Sequence, residues 1–454
     1  MNKILNVLGI TRFVQTIQNI YKIEELRARI GYTLLLLLVF RFGSFIVLPG
    51  IDPTLIDAFS KTSREGLMGM LDLFSGGAFS NASVFALGVM PYISASIVIQ
   101  LLTIMVPALQ RVQREGESGR RKINQYTRYL TLVILAVQAP AYLLALKSQI
   151  PVEAFMVQTA GIKGFFSYTL PAALTLIAGT MFVMWLGERI TDRGLGNGIS
   201  LLIMIGIIAR LPHALTAEVI TRFTETTGGP LLFIVELLIL LFIFMASIAL
   251  VQATRRIPVQ YAKRVVGNKQ YGGVRQYIPL KINAAGVMPI IFAQALMFVP
   301  MLFSGFDSTK GFAQAFNPYG FWYTVTFAVL VILFTYFYTA ITVNPTMMAE
   351  EMKKNGGFIP GVKPGKKTAE YIDNIMSRIT LPGSIFLAII AILPTFAYQF
   401  LGVNQEFANF FGGTSLLILV GVVLDTLQQI ESHLLLRHYD GLMKTGRLKG
   451  RTSS

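Results

Sequence analysis

The chain has 454 residues, of which 54% are hydrophobic and only 14% are charged, and its mean hydropathy is +0.60. Soluble domains carry about 25% charged residues, so this composition predicts an integral membrane protein. The absence of cysteine excludes disulfides and thiolate chemistry, and the three histidines lie far from any HExxH pattern. The net charge of +16 is large for a membrane protein, and its placement along the chain carries the information.

Ten apolar segments are each long enough to cross a bilayer, which takes roughly 20 residues of helix. These spans 1 to 10 lie near residues 30–49, 82–105, 129–146, 165–187, 197–215, 230–252, 284–304, 321–343, 379–401 and 412–436. With both termini in the cytoplasm, the terminal arms and inner loops hold 31 of the 39 lysines and arginines. The positive-inside rule therefore predicts an all-α protein with cytoplasmic N and C termini.

The first 29 residues precede span 1 and carry apolar residues at a roughly helical period, with lysine and arginine among them. This pattern predicts an amphipathic helix on the cytoplasmic membrane surface. The alternative is a solvated cytosolic arm.

The stretch LDLFSGGAFSNASVFALGVMPYISASIVIQLL (71–102) does not form one continuous apolar helix. Its first part ends in Ser75, Gly76 and Gly77, and a sustained apolar run begins only at Ala82. A segment exposed to lipid has little reason to be interrupted in this way, because its backbone would lose hydrogen bonds. The half-segment before the glycines therefore needs a separate explanation.

Two inner loops, 253–281 and 344–378, are long and basic, and both contain glycine and proline turn signals. They are longer than a connection requires, which favours ordered basic projections that dock an acidic partner or phosphate backbones. The alternative is that their charge only sets the topology.

The spans divide at a break near 216–229, which we expect to be an outer hinge loop between two halves of five spans each, 30–215 and 230–436. Halves with an odd number of spans would form an inverted repeat, although no residue-level repeat is evident between them. Residues 437–454 form a basic cytoplasmic tail.

Two motifs resemble those of enzymes, but neither has the residue spacing that the enzyme motif requires. GVKPGKKT (361–368) has three residues between its glycines where a phosphate-binding loop needs four, and no predicted strand precedes it. GESG (116–119) is followed by Arg120 where a nucleophile elbow needs glycine. The sequence therefore predicts no enzyme, metal or cofactor.

Few ionisable side chains fall inside the spans, which argues against the main rival, an ion-coupled solute transporter. Arg41 lies in the outer half of span 1 and is expected to extend outward to the interface. Glu236 lies near the start of span 6, where the helix dipole favours its charge. Asp425 lies mid-span in span 10 and is the buried acid that we expect to act in structure or gating.

Several motifs resemble one family. They are FRFGSFIVLPGID (40–52), FSGGAFSNASVFALGVMPYISASIVIQLL (74–102), EGESGRRKINQYTRY (115–129), MWLGERITDRGLGNGIS (184–200), YIPLKINAAGVMPIIFA (277–293) and FGGTSLLILVGVVLD (411–425). In order and in topology they resemble the SecY family of bacterial protein translocase subunits, from about residue 22 to the tail.

The resemblance implies a clamshell of two inverted, pseudo-symmetric halves, spans 1–5 and 6–10, around an hourglass pore. A ring of aliphatic side chains would form its narrow point, namely Val89, Ile93, Ile199, Ile203, Ile291 and Ile418. Each of these residues taken alone is more simply explained as facing lipid. An apolar constriction sheds water and so resists ions, yet it deforms around a passing chain.

The resemblance also explains the half-segment at 67–77 as a plug, a short helix in the outer funnel that swings on its glycines. The plug and hinge residues are Leu67, Met70, Leu71, Leu73, Phe74, Gly76 and Gly77. A lateral gate for signal sequences and membrane segments would open between spans 2–3 and 7–8, with Asn197 and Asn283 as polar residues near the pore and gate.

Docking of the motor or the ribosome is expected at the basic loops, through Lys263, Arg264, Lys269, Arg275, Lys363 and Lys366. The chain departs from the family at Lys363, where arginine is usual, and at Asn268-Lys269, where an arginine pair is common. Lysine keeps the charge but loses bidentate hydrogen bonding, so the local docking geometry is open.

The function implied is a passive protein-conducting channel in a bacterial inner membrane. The partners implied are SecE, SecG, the motor ATPase SecA, the ribosome, signal sequences, nascent polypeptides, anionic lipids, SecD, SecF and YidC. Besides the transporter, a scaffold without a pore remains as a third reading, in which plug and ring substitutions would have no effect.

Overall fold

The computed structural model describes residues 23–53, 72, 75–150, 154–157, 161–224, 229–261, 264–266, 269–271, 275–297 and 320–444. The chain divides into two compact units, residues 1–212 with 422–454 (unit 1) and residues 213–421 (unit 2). This division differs from the predicted halves, because the C-terminal part of the last helix belongs to unit 1.

Unit 1 is helical. Its helices are α1 (Glu24–Gly43), α2 (Met90–Met105), α3 (Pro107–Arg114), α4 (Glu117–Gln149), α5 (Gly161–Gly164) and α6 (Leu170–Arg193), with a π-helical turn (Phe165–Thr169) before α6. Helix α7 (Gly198–Thr224) begins in unit 1 and ends in unit 2. The hinge loop predicted from residue 216 was therefore too long, since residues up to Thr224 continue the helix.

Unit 2 contains α8 (Gly229–Gln252), α9 (Met288–Met297), α10 (Phe321–Thr342), α11 (Pro345–Lys354), α12 (Lys366–Leu401) and α13 (Gln405–Ala408). Helix α14 (Gly413–Lys444) begins in unit 2 and ends in unit 1. The strands are β1 (Thr254–Tyr261), β2 (Arg264–Val266), β3 (Lys269–Tyr271), β4 (Arg275–Lys281) and β5 (Gly357–Phe358).

The strands show that the basic loops have a fold of their own. Antiparallel pairing gives one sheet in the order β4-β1-β5 and a separate β2–β3 ribbon. On β1, Ile257 and Val259 are buried while Arg256 and Pro258 are exposed, which is the period-two alternation of a strand with one covered face. The buried face packs on α11 through Met352 and on α12 through Ile372 and Met376. Residues 253–281 and 344–378 are therefore not simple connections.

Among the described residues, seven helices are long and apolar enough to cross a membrane, or eight if a bent pair is one span. The pair is α2 with α3, which meet at an angle of 104°. Val106 is extended before Pro107, as the proline ring requires of the preceding residue. The count of ten spans stays a prediction, because α1 in span 1 is not among these helices and residues 298–304 of span 7 lie outside the described residues.

Candidate functional site

The glycine segment, here Asp72 with residues 75–89, connects the predicted plug to α2. Its backbone turns repeatedly, with positive φ at Gly76 (66°), Gly77 (92°) and Gly88 (54°). The amide of Gly77 donates to the carbonyl of Asp72 at 3.0 Å. The plug residues Leu67, Met70, Leu71, Leu73 and Phe74 lie outside the described residues, whereas the hinge glycines are described.

Glycine is required at position 76 for two reasons. Its φ of 66° is one that L side chains adopt only with strain. A Cβ at this position would also lie 2.8 Å from the Cα of Gly206 on α7, closer than carbon atoms can approach. The segment therefore packs its backbone directly on helix α7.

A buried ion pair fixes the beginning of the segment. Arg210 on α7 forms an ion pair with Oδ2 of Asp72, and these side chains are only 11% and 3% exposed. The other oxygen, Oδ1, accepts from the amide of Ser80 at 2.8 Å. Nη2 of Arg210 also donates to Oγ of Ser80 at 2.8 Å. Asp72, Ser80 and Arg210 are therefore each bonded to the other two.

A second arginine binds the segment from helix α1. Nη1 of Arg41 donates to the carbonyl of Gly76, and its guanidinium lies 4.7 Å from the ring centroid of Phe45. The prediction that Arg41 extends outward to the interface was wrong. An unpaired carbonyl inside an apolar protein is costly, and the carbonyl of Gly76 offers the arginine a hydrogen-bond partner within the protein.

Apolar packing holds the middle of the segment. Phe79 lies in the main core of unit 1, with its ring 4.8 Å from that of Tyr142, whose hydroxyl donates to the carbonyl of Phe79 at 2.9 Å. An isolated β-bridge pairs Val47 with Ser83 further along. Both ends of the stretch 72–83 are thus fastened, one by charge and the other by core packing.

The predicted ring residues occupy helix beginnings. Val89 precedes α2 and is buried, and its carbonyl accepts from the amide of Ile93 at 3.1 Å. Ile199 lies in the first turn of α7, and a Cβ at Gly187 would lie 2.8 Å from its Cγ1, so it packs against α6. Ile203 is buried one turn later. Ile291 lies in α9 and Ile418 in α14, in unit 2.

The two polar gate residues differ in their surroundings. Asn197 is exposed and caps α7, since its Oδ1 accepts from the amides of Ile199 and Ser200 at 3.2 and 3.3 Å. Asn283 lies in the turn after β4 and is 8% exposed, and its Oδ1 has no hydrogen-bond partner among the described residues. Asn197 thus has a structural role at the helix terminus.

A second buried charge network in unit 2 was not anticipated. Nε of Arg222 donates to Glu218 at 2.7 Å, and its Nη2 donates to Glu236 at 2.5 Å and to the carbonyl of Leu401 at 2.9 Å. The free oxygen of Glu218 accepts from the amide of Asn404 at 2.7 Å. The i,i+4 spacing of Glu218 and Arg222 was the sequence signal that could have predicted this ion pair.

The prediction that Asp425 is buried was wrong, because its side chain is exposed on α14.

The predicted docking residues fall on the sheet region and its flanking loop. Arg264, Lys269 and Arg275 belong to strands β2, β3 and β4, whereas Lys263 lies outside the described residues. Lys363 and Lys366 are exposed at the beginning of α12.

Comparison with known proteins identifies the chain. The SecY family model matches residues 83–427. A protein translocase subunit SecY of Streptomyces scabiei is 45% identical over 93% of this chain and 98% of its own length. That of Thermus thermophilus is 43% identical over 95% and 98%. The chain belongs to the SecY family.

Solved structures agree on the fold. A protein-conducting channel superposes with a TM-score of 0.59 at 15% identity over 93% of this chain and 94% of the other. A second structure, with a TM-score of 0.57 at 16% identity over the same shares, is described as showing that the plug domain of SecY stabilises the closed state and maintains a membrane seal. Sec61 from a canine ribosome–channel complex gives 0.54 at 14% identity over 93% and 94%.

The predicted resemblance is therefore confirmed. This member of the SecY family is a multi-pass membrane protein and a subunit of the protein translocase, not an enzyme. Its function as a protein-conducting channel follows from the family.

Proposed function

We propose that this chain is the pore-forming subunit of a Sec translocase in a bacterial inner membrane, with ten transmembrane helices in a clamshell and both termini in the cytoplasm. Secretory polypeptides pass through the pore, and membrane segments leave it through the lateral gate. The observation that supports the proposal is the glycine segment, whose positive-φ residues Gly76 and Gly77 lie between the predicted plug and α2, as a hinge would require.

The channel itself is passive in this proposal. The ring of Val89, Ile93, Ile199, Ile203, Ile291 and Ile418 seals the pore by excluding water, and it opens around a chain because aliphatic side chains offer no hydrogen bonds. The plug covers the closed ring. Asn197 and Asn283 place polar groups near the pore and gate.

The driving force comes from partners. The sheet region and the loop before α12 present basic side chains to the ribosome and to SecA, and relatives of this fold occur bound to ribosomes. SecE and SecG complete the channel, SecD, SecF and YidC act with it, and anionic lipids surround its basic cytoplasmic face.

Site-directed crosslinking tests the conduit. The chain has no cysteine, so Ile203→Cys introduces a single thiol. In membrane vesicles it should form a disulfide with cysteines along a stalled secretory chain, and should not do so with a chain that lacks a signal sequence. Ile208→Cys is the matched control, because Ile208 is exposed on the same helix.

Either result is informative. Crosslinks at position 203 that follow translocation, without crosslinks at 208, would place polypeptide at the ring. Absence of crosslinks at 203 and at Cys variants of Ile93 and Ile418, in vesicles that translocate normally, would contradict the ring assignment.

A further inference from the structure

We infer that Gln294 on α9 and Thr414 on α14 are positioning residues that align two members of the proposed ring. Those members are Ile291 on α9 and Ile418 on α14, and both lie in unit 2. This inference rests on the proposed function, because it concerns the seal that the ring gives to that same channel. It goes beyond the ring itself by naming a polar contact that holds two of its side chains at one level.

The bond between Gln294 and Thr414 joins two helices. The hydroxyl of Thr414 donates to Oε1 of Gln294 at 3.0 Å, and both residues are only 6% exposed. Buried threonines within α10 and α12, such as Thr335 and Thr380, instead donate to the carbonyl four residues earlier in their own helix. Thr414 is the second residue of α14, so no carbonyl of that helix lies four residues before it. Its hydroxyl therefore serves a contact between helices.

A second contact fixes the register of the two helices. A Cβ at Gly421 would lie 3.6 Å from Cγ2 of Val287, which is an ordinary van der Waals distance. Val287 precedes Gln294 by seven residues, and Thr414 precedes Gly421 by seven. The two contacts thus occur in opposite order along the two helices and are separated by about two turns, roughly 10 Å. Helices α9 and α14 therefore run antiparallel and stay close over this distance.

The two ring residues lie between these contacts. Ile291 precedes Gln294 by three residues, and Ile418 follows Thr414 by four. Because the helices run in opposite directions, both displacements point the same way and differ by one residue, about 1.5 Å of rise. Residues three or four apart also share a helix face. Ile291 and Ile418 thus lie at nearly the same height, each on the face of its helix that carries the contact.

The level of these side chains matters for a seal. An apolar constriction excludes water only where its side chains close in one layer, because a displaced side chain leaves a gap that water can enter. Sliding α14 by one turn, about 5.4 Å, would take Ile418 out of the layer of Ile291. The hydrogen bond opposes such sliding, because buried polar groups that lose a partner are costly.

The test is the basal ion conductance of the complete translocase in planar bilayers without substrate. Thr414→Val removes the hydroxyl from a side chain of similar shape and should raise the conductance about threefold, as expected for the loss of one hydrogen bond between membrane helices. Gln294→Met should act alike, whereas Thr414→Ser keeps the donor and should stay sealed. Both changes together should leak no more than either alone, because they break the same bond.

Thr335→Val is the matched control. Thr335 is buried on α10 in unit 2, and its hydroxyl donates to the carbonyl of Val331 in the same helix at 2.6 Å. The same chemical change at this position removes a bond within one helix, so the conductance should stay at the parental level.

Crosslinking reads the alignment directly. The chain has no cysteine, so Ile291→Cys with Ile418→Cys introduces a single pair of thiols. A short bifunctional maleimide should join this pair in an otherwise parental chain. The yield should fall when Thr414→Val is added, and it should not change when Thr335→Val is added.

The outcomes distinguish this inference from the proposed function. If Thr414→Val stays sealed with an unchanged crosslinking yield, or if Thr335→Val leaks as much, the alignment by Gln294 and Thr414 is wrong and the channel stands. Additive leaks in the double variant would also contradict the inference, because the two side chains would then act separately. If the parent itself neither translocates nor yields the crosslink at position 203 with a secretory chain, the proposed function fails.

Discussion

Arg210 and Arg222 lie on the same helix, α7, and both are buried against carboxylates, yet the surroundings of the two arginines differ. Arg222 joins carboxylates that belong to the long helices α7 and α8, and it also binds the carbonyl of the last residue of α12. Arg210 instead binds the carboxylate of Asp72, which lies shortly before the positive-φ glycines Gly76 and Gly77. The same chemistry thus fastens long helices to one another in unit 2 and ties the glycine segment to α7 in unit 1.

The comparison shows that the effect of a buried ion pair depends on the secondary structure in which its two partners lie. Where both partners lie on long helices, breaking the pair disrupts packing and lowers the free energy of unfolding. Where one partner lies in the glycine segment, breaking the pair removes a contact between that segment and α7 while the long helices keep theirs. The following changes test this distinction, from the largest expected effect to the smallest.

Arg222→Met should have the largest effect on stability. It leaves Glu218 and Glu236, both fully buried, without their cation, and breaking a buried pair in this way costs about 3–5 kcal/mol. The apparent unfolding temperature in detergent, followed by far-ultraviolet circular dichroism, should fall sharply. The basal conductance of the molecules that remain folded should stay at the parental level.

The matched control for Arg222→Met removes all three charges. The triple variant Glu218→Gln, Arg222→Met, Glu236→Gln leaves no buried net charge and should recover most of the lost stability. A single Arg222→Met variant as stable as the parent would show that the network contributes nothing to unit 2.

Gly76→Ala should follow in size and should act on the hinge. The positive φ costs an L residue about 1–2 kcal/mol, and the added Cβ meets the backbone of Gly206 at 2.8 Å. Gly161→Ala is the matched control, because its φ is 70° but no described neighbour lies within 4 Å of its Cβ. Only Gly76→Ala should both destabilise the protein and raise the basal conductance, and equal effects of the two changes would contradict the packing against α7.

Asn197→Ala should destabilise by about 1 kcal/mol through loss of the N-cap of α7. Asn197→Ser keeps an oxygen that can accept from the same amides and should restore thermal stability. If serine restores stability but translocation stays impaired, Asn197 has a role at the pore beyond the cap. Thermal unfolding and translocation of a secretory protein into vesicles measure the two effects separately.

Glu25→Gln should have the smallest effect. Its ion pair with Arg29 is exposed on α1, where water and salt screen the attraction. Neither thermal stability nor conductance should change measurably, at low or at high salt. A clear loss of stability would mean that charge pairs in this protein matter regardless of burial, and the contrast between Arg210 and Arg222 would lose its basis.

Much of this protein could be predicted from local features. Span positions follow from apolar runs, and the span predicted at 321–343 agrees closely with α10 (Phe321–Thr342). The interruption at Gly76 and Gly77 was recognised because a break in an apolar segment needs a cause, and both glycines have positive φ. The motifs were specific enough to identify the family before any geometry was known.

Predictions that depended on partners distant in the sequence failed. Arg41 and Arg222 looked like ordinary charges at span ends, because a side chain that reaches the membrane surface and one that reaches a buried carbonyl or carboxylate leave the same local pattern. Asp425 looked buried because its span is apolar, yet its side chain is exposed, since composition does not say which helix face is covered.

The sequence by itself thus determined the membrane class, the positions of most helices, the glycine interruption before α2 and the family, since each depends on residues that are neighbours along the chain. Only the tertiary structure decided that Asp72 pairs with Arg210, that Gly76 packs on Gly206, and that Arg222 joins two glutamates. These contacts join residues that are far apart in sequence. Burial, which turns such contacts from weak to strong, is a property of the folded chain alone.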